Sequence, residues 1–496
     1  MVKATRRSAV LLGLIAVAVC AFSVPSFAEV QNVKVGGDLT VRAIHRSNTD
    51  LNKDNNVAQA NGQDRSDPQD FVQQTVAINV GADLTENVSA FLRFANENDW
   101  GSATGGTASG DVDVSQAYAE IRELFYTPAT LRIGTQPIKW GRGLVLGGNL
   151  LPSLLETGSF AGGDRNAAIT AEEFTDFTAF DAVRLTIDLR NTGMTAIDDV
   201  APSLDLVFIK LDENAAGSND DTNLFGGNLS TKFGQSEAEL YYLNKHDKSR
   251  TDVAPNVAGR TAKAGSVSTI GLRGSTQPGD GINLYGELAY QFGKRANDLD
   301  EGLQDGTPQR GWLTNLGAEL TLADIATSPK IGAEWLFKSG EDKDGAFGGW
   351  DPIAPSYFPT MIRSYQVRST LLGLYPVDQA GVTSAFTNQH DLALYGGIKP
   401  MEDLGVDTRL TLFLADVPPI NRQGAAGVGT GNSARSSHLG TEWDNKVTYQ
   451  YTDDVTLSGA YGVFWPGGAF RHRNPADAAT GDSTAQQLVV EASVKF

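Results

Sequence analysis

The stretch Val33-Lys34-Val35-Gly36-Gly37-Asp38-Leu39-Thr40-Val41-Arg42-Ala43 decides how the chain is read. Val33, Val35, Leu39, Val41 and Ala43 share one parity, and Lys34, Asp38, Thr40 and Arg42 share the other. Side chains alternate faces along a strand with period two, so this is a strand with one apolar and one polar face. A helix would bring its apolar residues together every three or four positions instead. The alternation recurs at Val76, Ile78, Val80 and Ala82, at Val88, Ala90, Leu92 and Phe94, at Val183, Leu185 and Ile187, and at Leu410, Leu412 and Leu414. It closes the chain at Leu488, Val490, Ala492, Val494 and Phe496.

Working outward from these segments gives about eighteen strands, an even number, as single-chain bacterial barrels have. The connections support that count. Every second one is mostly short (85–87, 124–128, 234, 276–281, 323–328, 400–404 and 452–454), with 191–202 as the long exception. The others are mostly long and polar: 49–70, 101–112, 143–177, 246–264, 294–309, 341–387, 417–436 and 466–483. Short periplasmic turns alternating with long outer loops are the topology of a transmembrane antiparallel up-and-down β-barrel. Trp100, Trp140, Trp312 and Trp465 fall at the long-loop ends of their strands, where an indole sits half buried at the membrane interface. The terminal aromatic strand is the mark of a chain handled by the barrel-assembly machinery.

Composition agrees. Beyond the first few dozen residues there is no apolar run of the roughly 18 residues that a spanning helix needs. The block Ala9 to Phe22 follows Lys3, Arg6 and Arg7 and precedes Pro25 and the small-x-small end Ser26-Phe27-Ala28. It reads as a signal peptide over 1–28, leaving 29–496 as one barrel domain. Val19 is too bulky, just before Cys20, for a lipoprotein signal. Cys20 is the only cysteine, so the mature chain has no disulfide and no thiolate metal site. The formal net charge of −19 becomes −22 when Lys3, Arg6 and Arg7 leave, which argues against nucleic acid as a partner. The 54 glycines suit a chain of many turns.

Four sequence blocks carry a resemblance. The first is Leu131-Arg132-Ile133-Gly134-Thr135-Gln136, with Trp140-Gly141 and Gly147 after it. The second is Phe180-Asp181-Ala182-Val183-Arg184-Leu185. The third is Ala333-Glu334-Trp335 running into Ser339-Gly340-Glu341-Asp342. The fourth is Leu439-Gly440-Thr441-Glu442-Trp443-Asp444, with Tyr461-Gly462, Phe464 and Pro466-Gly467. Together they resemble the alginate-export family of outer-membrane barrels. The resemblance implies an eighteen-stranded monomeric barrel that conducts anionic polysaccharide outward. It does not fix the cargo.

Parity places Arg42, Arg93, Arg132, Arg184, Arg273 and Arg409 on the inward face, with Glu97, Glu120, Glu237, Glu239, Glu287, Glu334, Glu442 and Asp444. A lipid-facing Arg or Lys costs about 2–4 kcal/mol at the midplane, so the inward position follows whatever the function. Two readings stand. Either the arginines form a ladder of weak carboxylate sites along a pore, or they pair with glutamates on neighbouring strands and brace the wall. Closure makes the two chain ends neighbours, so Arg42 and Arg409 are expected on the same side of the lumen. Apolar Leu150-Leu151-Pro152-Ser153-Leu154-Leu155 lies in one of the two longest loops, 143–177 and 341–387. One of these loops is expected to fold inward.

Other motifs carry less. Asp50, Asn52, Asp54 and Asn56 resemble a calcium loop, but Asn55 and Asn61 stand where glycine and glutamate are required. Gly427, Gly429 and Gly431 lack the strand-then-helix context of a dinucleotide site. Lys245, His246, Lys248, Arg250, Arg260 and Lys263 make one outer loop basic and able to attract an anionic solute or lipopolysaccharide. His45, His246, His390, His438 and His472 form no zinc-type pair. No cofactor, metal or catalytic activity is expected. The expected function is an outer-membrane channel for anionic saccharides, with a general small-solute porin and a barrel sleeve around a partner protein as alternatives. A net basic constriction would mark the first, a mixed one the second and a loop-free bore the third.

Overall fold

The computed structural model describes residues 32–48, 51, 69–100, 112–148, 174–192, 200–212, 221–248, 264–295, 308–340, 347–363, 387–418, 436–469 and 483–496. The signal segment 1–28, the calcium-like motif apart from Leu51, the Leu150–Leu155 stretch, Arg250, Arg260, Lys263 and the Gly427–Gly431 triplet lie outside these residues.

The strands are β1 (Asn32–Ser47), β2 (Gln69–Asp83), β3 (Val88–Asp99), β4 (Asp113–Ile121), β5 (Ala129–Gln136) and β6 (Phe180–Asp188). Next come β7 (Ser203–Asp212), β8 (Thr222–Phe233), β9 (Ser236–Asp247), β10 (Gly265–Gly279) and β11 (Ile282–Lys294). Strand β12 has two pieces, Pro308–Gln309 and Trp312–Thr321. Both pair with β11 in one continuous register, Gly293 opposite Gln309 and Tyr290 opposite Trp312. The set ends with β13 (Lys330–Lys338), β14 (Gln389–Met401), β15 (Leu404–Leu414), β16 (His438–Gln450), β17 (Val455–Pro466) and β18 (Ala485–Lys495).

Each strand pairs antiparallel with the next, and β18 returns to β1 from Asp38 opposite Lys495 to Ser47 opposite Gln486. The result is a closed 18-stranded barrel. Closure leaves no sheet edge with unpaired backbone groups in lipid. Phe496 completes the seam: its N–H donates to Gly37 and its carbonyl accepts from Gly37.

Burial is inverted relative to a soluble protein. Leu272, Leu394 and Leu488 are exposed, whereas Gln73, Asn315, Thr411 and Glu442 are buried inside. Trp100, Trp312 and Trp465 are exposed at the long-loop ends, as an interfacial belt requires.

Two expectations fail at one place. The connections 124–128 and 143–177 leave 129–142 as a single expected strand, with Trp140 in the belt. Strand β5 stops at Gln136 because Pro137 has no N–H to give the ladder. The chain then turns into the lumen, and Trp140 is only 3% exposed there.

Candidate functional site: two inward straps over a tyrosine-arginine cavity

Two segments cross the interior. The first strap, residues 137–148, buries Ile138, Trp140, Leu144, Val145 and Leu146. They pack on inward residues of the wall such as Val207, Ile209, Leu224, Leu243 and Leu336. The second strap, residues 347–363, adds Trp350, Ile353 and Ala354 to the same cluster. The straps join through a parallel bridge between Leu146 and Ala354. Hydrogen bonds run from Gly147 N to Ala354 O at 2.8 Å and from Ser356 N to Gly143 O at 2.8 Å. Farther along, Met361 and Ile362 pack with Phe413 and Phe464 in a second apolar cluster. The described segments 143–148 and 347–363 of the two long loops therefore fold inward, where one loop is expected to. A sleeve needs an open bore, and these straps occupy it.

The wall glutamates hold the straps. Glu239 accepts from Gly141 N at 2.9 Å, and Glu287 accepts from Arg142 N at 3.1 Å and from the Tyr241 hydroxyl at 2.8 Å. Gly141 has φ +57, and a Cβ there would press on the Glu287 carboxylate. Glu442 accepts from Ile362 N and Arg363 N. Glu97 accepts from Asp176 N and the Thr175 hydroxyl, fixing a third inward segment ahead of β6. Sequence parity found these carboxylates. Their partners could not be read there, because they are loop backbone groups brought in from more than 75 residues away.

The six inward arginines are all paired. Arg42 meets Glu491 at 2.6 Å, Arg93 meets Asp38 and Asp176 at 2.8 Å, and Arg132 meets Glu120 at 2.5 Å. Arg184 meets Asp205 at 2.8 Å, Arg273 meets Glu239 at 2.7 Å and Glu237 at 2.9 Å, and Arg409 meets Glu334 at 2.9 Å. Arg132 and Arg184 stand directly opposite each other in the β5–β6 ladder, Arg184 on Asp205 and Arg132 on Glu120, which also holds Arg122. Arg42 and Arg409 are not brought together. Arg409 is on β15, three strands short of the β18–β1 seam, and its partner Glu334 lies on β13. Asp444 follows Glu442 on the same face of β16 and is buried.

Beneath the straps lies a cavity of about 740 Å3 that reaches the β8–β9 turn at Gly234 and Gln235. That is the short-turn end, the periplasmic one in such barrels. Its upper wall contains residues missed by sequence reasoning. Arg142 comes from the first strap and Tyr357 from the second, and Tyr285 and Tyr395 project from β11 and β14. Arg142 lies 3.3 Å from Glu334, so Arg142 and Arg409 share one carboxylate. The Tyr357 hydroxyl also reaches Glu334, at 2.7 Å. Burial, and then the Glu334 charge, push the Tyr357 phenol well up, so it stays a protonated donor.

The Arg142 guanidinium stacks 3.9 Å above the Tyr285 ring. Tyr285 and Tyr395 lie flat because each faces a glycine across the ladder, Gly317 and Gly332 respectively. A Cβ on either glycine would enter the ring. Four cations (Arg142, Lys232, Arg273, Arg409) and three carboxylates (Glu237, Glu319, Glu334) line the cavity.

A closed barrel with an apolar outer band, an aromatic belt and straps above a charged vestibule is an outer-membrane channel. The chain belongs to the alginate-export family, whose model, described as alginate export, matches residues 32–482. No curated protein matches the chain. Among solved structures it is similar to Pseudomonas aeruginosa OccK2 (OpdF) in complex with glucuronate, at 11% identity and TM-score 0.49, covering 93% of this chain and 98% of that one. Pseudomonas aeruginosa OccK8 (OprE) gives 11% identity and TM-score 0.48, covering 94% and 99%. An anion-selective porin from Comamonas acidovorans gives 11% and 0.41, covering 94% and 99%.

Proposed function

We propose that this channel passes anionic saccharides of the alginate class by diffusion, and that Arg142 and Arg409 form the carboxylate site at the floor of the straps. One observation carries the reading: two guanidinium groups share the single carboxylate of Glu334 and face a cavity. One positive charge is left over there, where a uronate carboxylate can take two parallel hydrogen bonds from a guanidinium. The stacked tyrosines hold the guanidinium planes in place. A site so partly neutralised binds weakly, which suits transport, since what is captured has to be released. The same reading includes export through the inner membrane by a leader over 1–28, insertion by the barrel-assembly machinery and a monomeric channel.

The near balance of four cations and three carboxylates favours a weakly selective porin for small solutes as the second reading. Current block in planar bilayers separates the two. Polyuronate oligomers added on the cavity side should block wild-type channels, and the Arg142→Ala, Arg409→Ala double variant should lose that block. A wild-type channel indifferent to the oligomers leaves the small-solute reading in place.

A further inference from the structure

The outward face of the barrel carries a second charged feature, unconnected with the lumen. At the long-loop end, three outward rows are in register across β8 to β12. The innermost row contains Tyr242, Ile270, Tyr290 and Trp312, with the Tyr290 and Trp312 rings 4.3 Å apart between centroids. The next contains Asn244, Ser268 and Phe292. Arg310 extends that second row, since Gln309 and Gly311 on either side of it face the second strap. The outermost row runs Asn223, His246, Ser266, Lys294 and Pro308.

Outward positions on one strand are about 7 Å apart, so the cations stand roughly 7–14 Å beyond the aromatic row, at headgroup height. The described outward positions of β8 to β12 hold no Asp or Glu. Two other described outward histidines on the rim face acids: His45 lies 2.6 Å from Asp70, and His390 lies 3.5 Å from Asp416. His246 instead stands between Asn223 and Ser266. Lys294 and Arg310 are exposed.

We infer that this face binds the phosphate groups of a phosphorylated glycolipid in the outer leaflet. The position at the long-loop rim selects that leaflet. The spacing selects the glycolipid. His246 and Lys294 are two strands apart, about 10 Å at 4.8 Å per strand, a span suited to two phosphates on one disaccharide rather than the single phosphate of a phospholipid. The Ser266 hydroxyl between them accepts from Asn244 Nδ2 at 3.0 Å and keeps its own hydrogen for a phosphate oxygen. The aromatic row below offers a surface for acyl chains.

Native mass spectrometry of the full detergent-solubilised chain tests this with three purified lipids: diphosphorylated lipid A, the same lipid A with its phosphates removed, and phosphatidylglycerol. Only the first should remain bound at low micromolar concentration. A basic residue near an anionic surface contributes about fivefold in affinity, so Lys294→Ala with Arg310→Ala should weaken retention about 25-fold. Folding is verified by heat-shifted gel mobility and by unchanged conductance in a neutral bilayer. If the double variant does not fold, Lys294→Gln alone should lose about fivefold. Equal retention of the dephosphorylated lipid or of phosphatidylglycerol overturns the inference, as does undiminished binding by the folded variants.

Discussion

Arginines on the β1–β6 wall and arginines under the straps differ in what surrounds them. On the wall, Arg42, Arg93 and Arg184 each have a carboxylate of their own or two, and Arg132 shares Glu120 with Arg122 at the end of β4, away from the cavity. Arg132 and Arg184 are directly opposed like charges, which is unfavourable unless each is neutralised. Glu120 and Asp205 neutralise them. Under the straps, Arg142 and Arg409 divide one Glu334 between them and open onto a cavity. An inward position identifies a residue the membrane has forced inside. A surplus of arginine over carboxylate that also opens onto a cavity separates a site from a brace.

The strongest way to break this contrast is to remove the straps that create it. Trp350 is among the largest fully buried side chains and sits where the second strap meets the first. Trp350→Ala should remove about 3–5 kcal/mol of packing and loosen the second strap, leaving it on its hydrogen bonds to Glu334 and Glu442. Single-channel conductance should rise and become noisy, with both straps exposed to protease. Unchanged conductance would place the current path outside the straps.

Next in size is the cavity pair. Arg142→Ala with Arg409→Ala removes both guanidiniums and leaves Glu334 unneutralised. In a salt gradient the reversal potential should move toward cation selectivity. The affinity for blocking oligomers should fall at least about tenfold, since a hydrogen bond to a charged group is worth roughly 1.5–3 kcal/mol. The wall pair provides the contrast. Arg132→Ala with Arg184→Ala should lower the urea midpoint of unfolding while changing oligomer block less than about twofold, because Glu120 keeps Arg122, and Asp205 keeps Trp140 and Thr186. A larger loss of block in the wall pair than in the cavity pair would reverse the assignment.

The membrane made most of the fold readable. Because lipid penalises an outward charge within the apolar band, Val33 to Ala43 had to alternate, and the arginines and glutamates at that depth had to fall on one parity. The site was less legible for a related reason. Arg142 lies within what alternation extended as strand 129–142, and only the missing N–H of Pro137 says that the strand has ended. Tyr357 lies in a long loop with no period. Its place beside Glu334 depends on Leu146 meeting Ala354, a pairing between distant segments that no local pattern encodes. Glu287 and Glu442 looked like partners for arginine because their true partners are backbone N–H groups, which every residue except proline carries. The Tyr285–Gly317 and Tyr395–Gly332 pairs were visible as residues but not as neighbours until register was known.

The smallest expected effect concerns acid, on the wall side of the comparison. Asp176 ties the segment before β6 to the wall by accepting from Arg93 at 2.8 Å. Burial pushes its carboxyl up, but hydrogen bonds from Arg93 and Ser115 outweigh burial and hold it below its ordinary value. A carboxyl depressed on folding adds stability that is fully present above its unfolded pKa of about 3.9 and is lost as pH falls through the lower folded value. Hydrogen exchange over 174–179, after correction for intrinsic rates, should therefore gain an acid step below about pH 4, where Asp176 begins to take up a proton. Asp176→Asn should exchange faster at neutral pH and show a weaker acid step. Conductance at pH 7 should change little, because Arg93 retains Asp38 at 2.8 Å. An acid step of equal size in Asp176→Asn would transfer the effect to another carboxylate and leave this ion pair without a part in anchoring the segment.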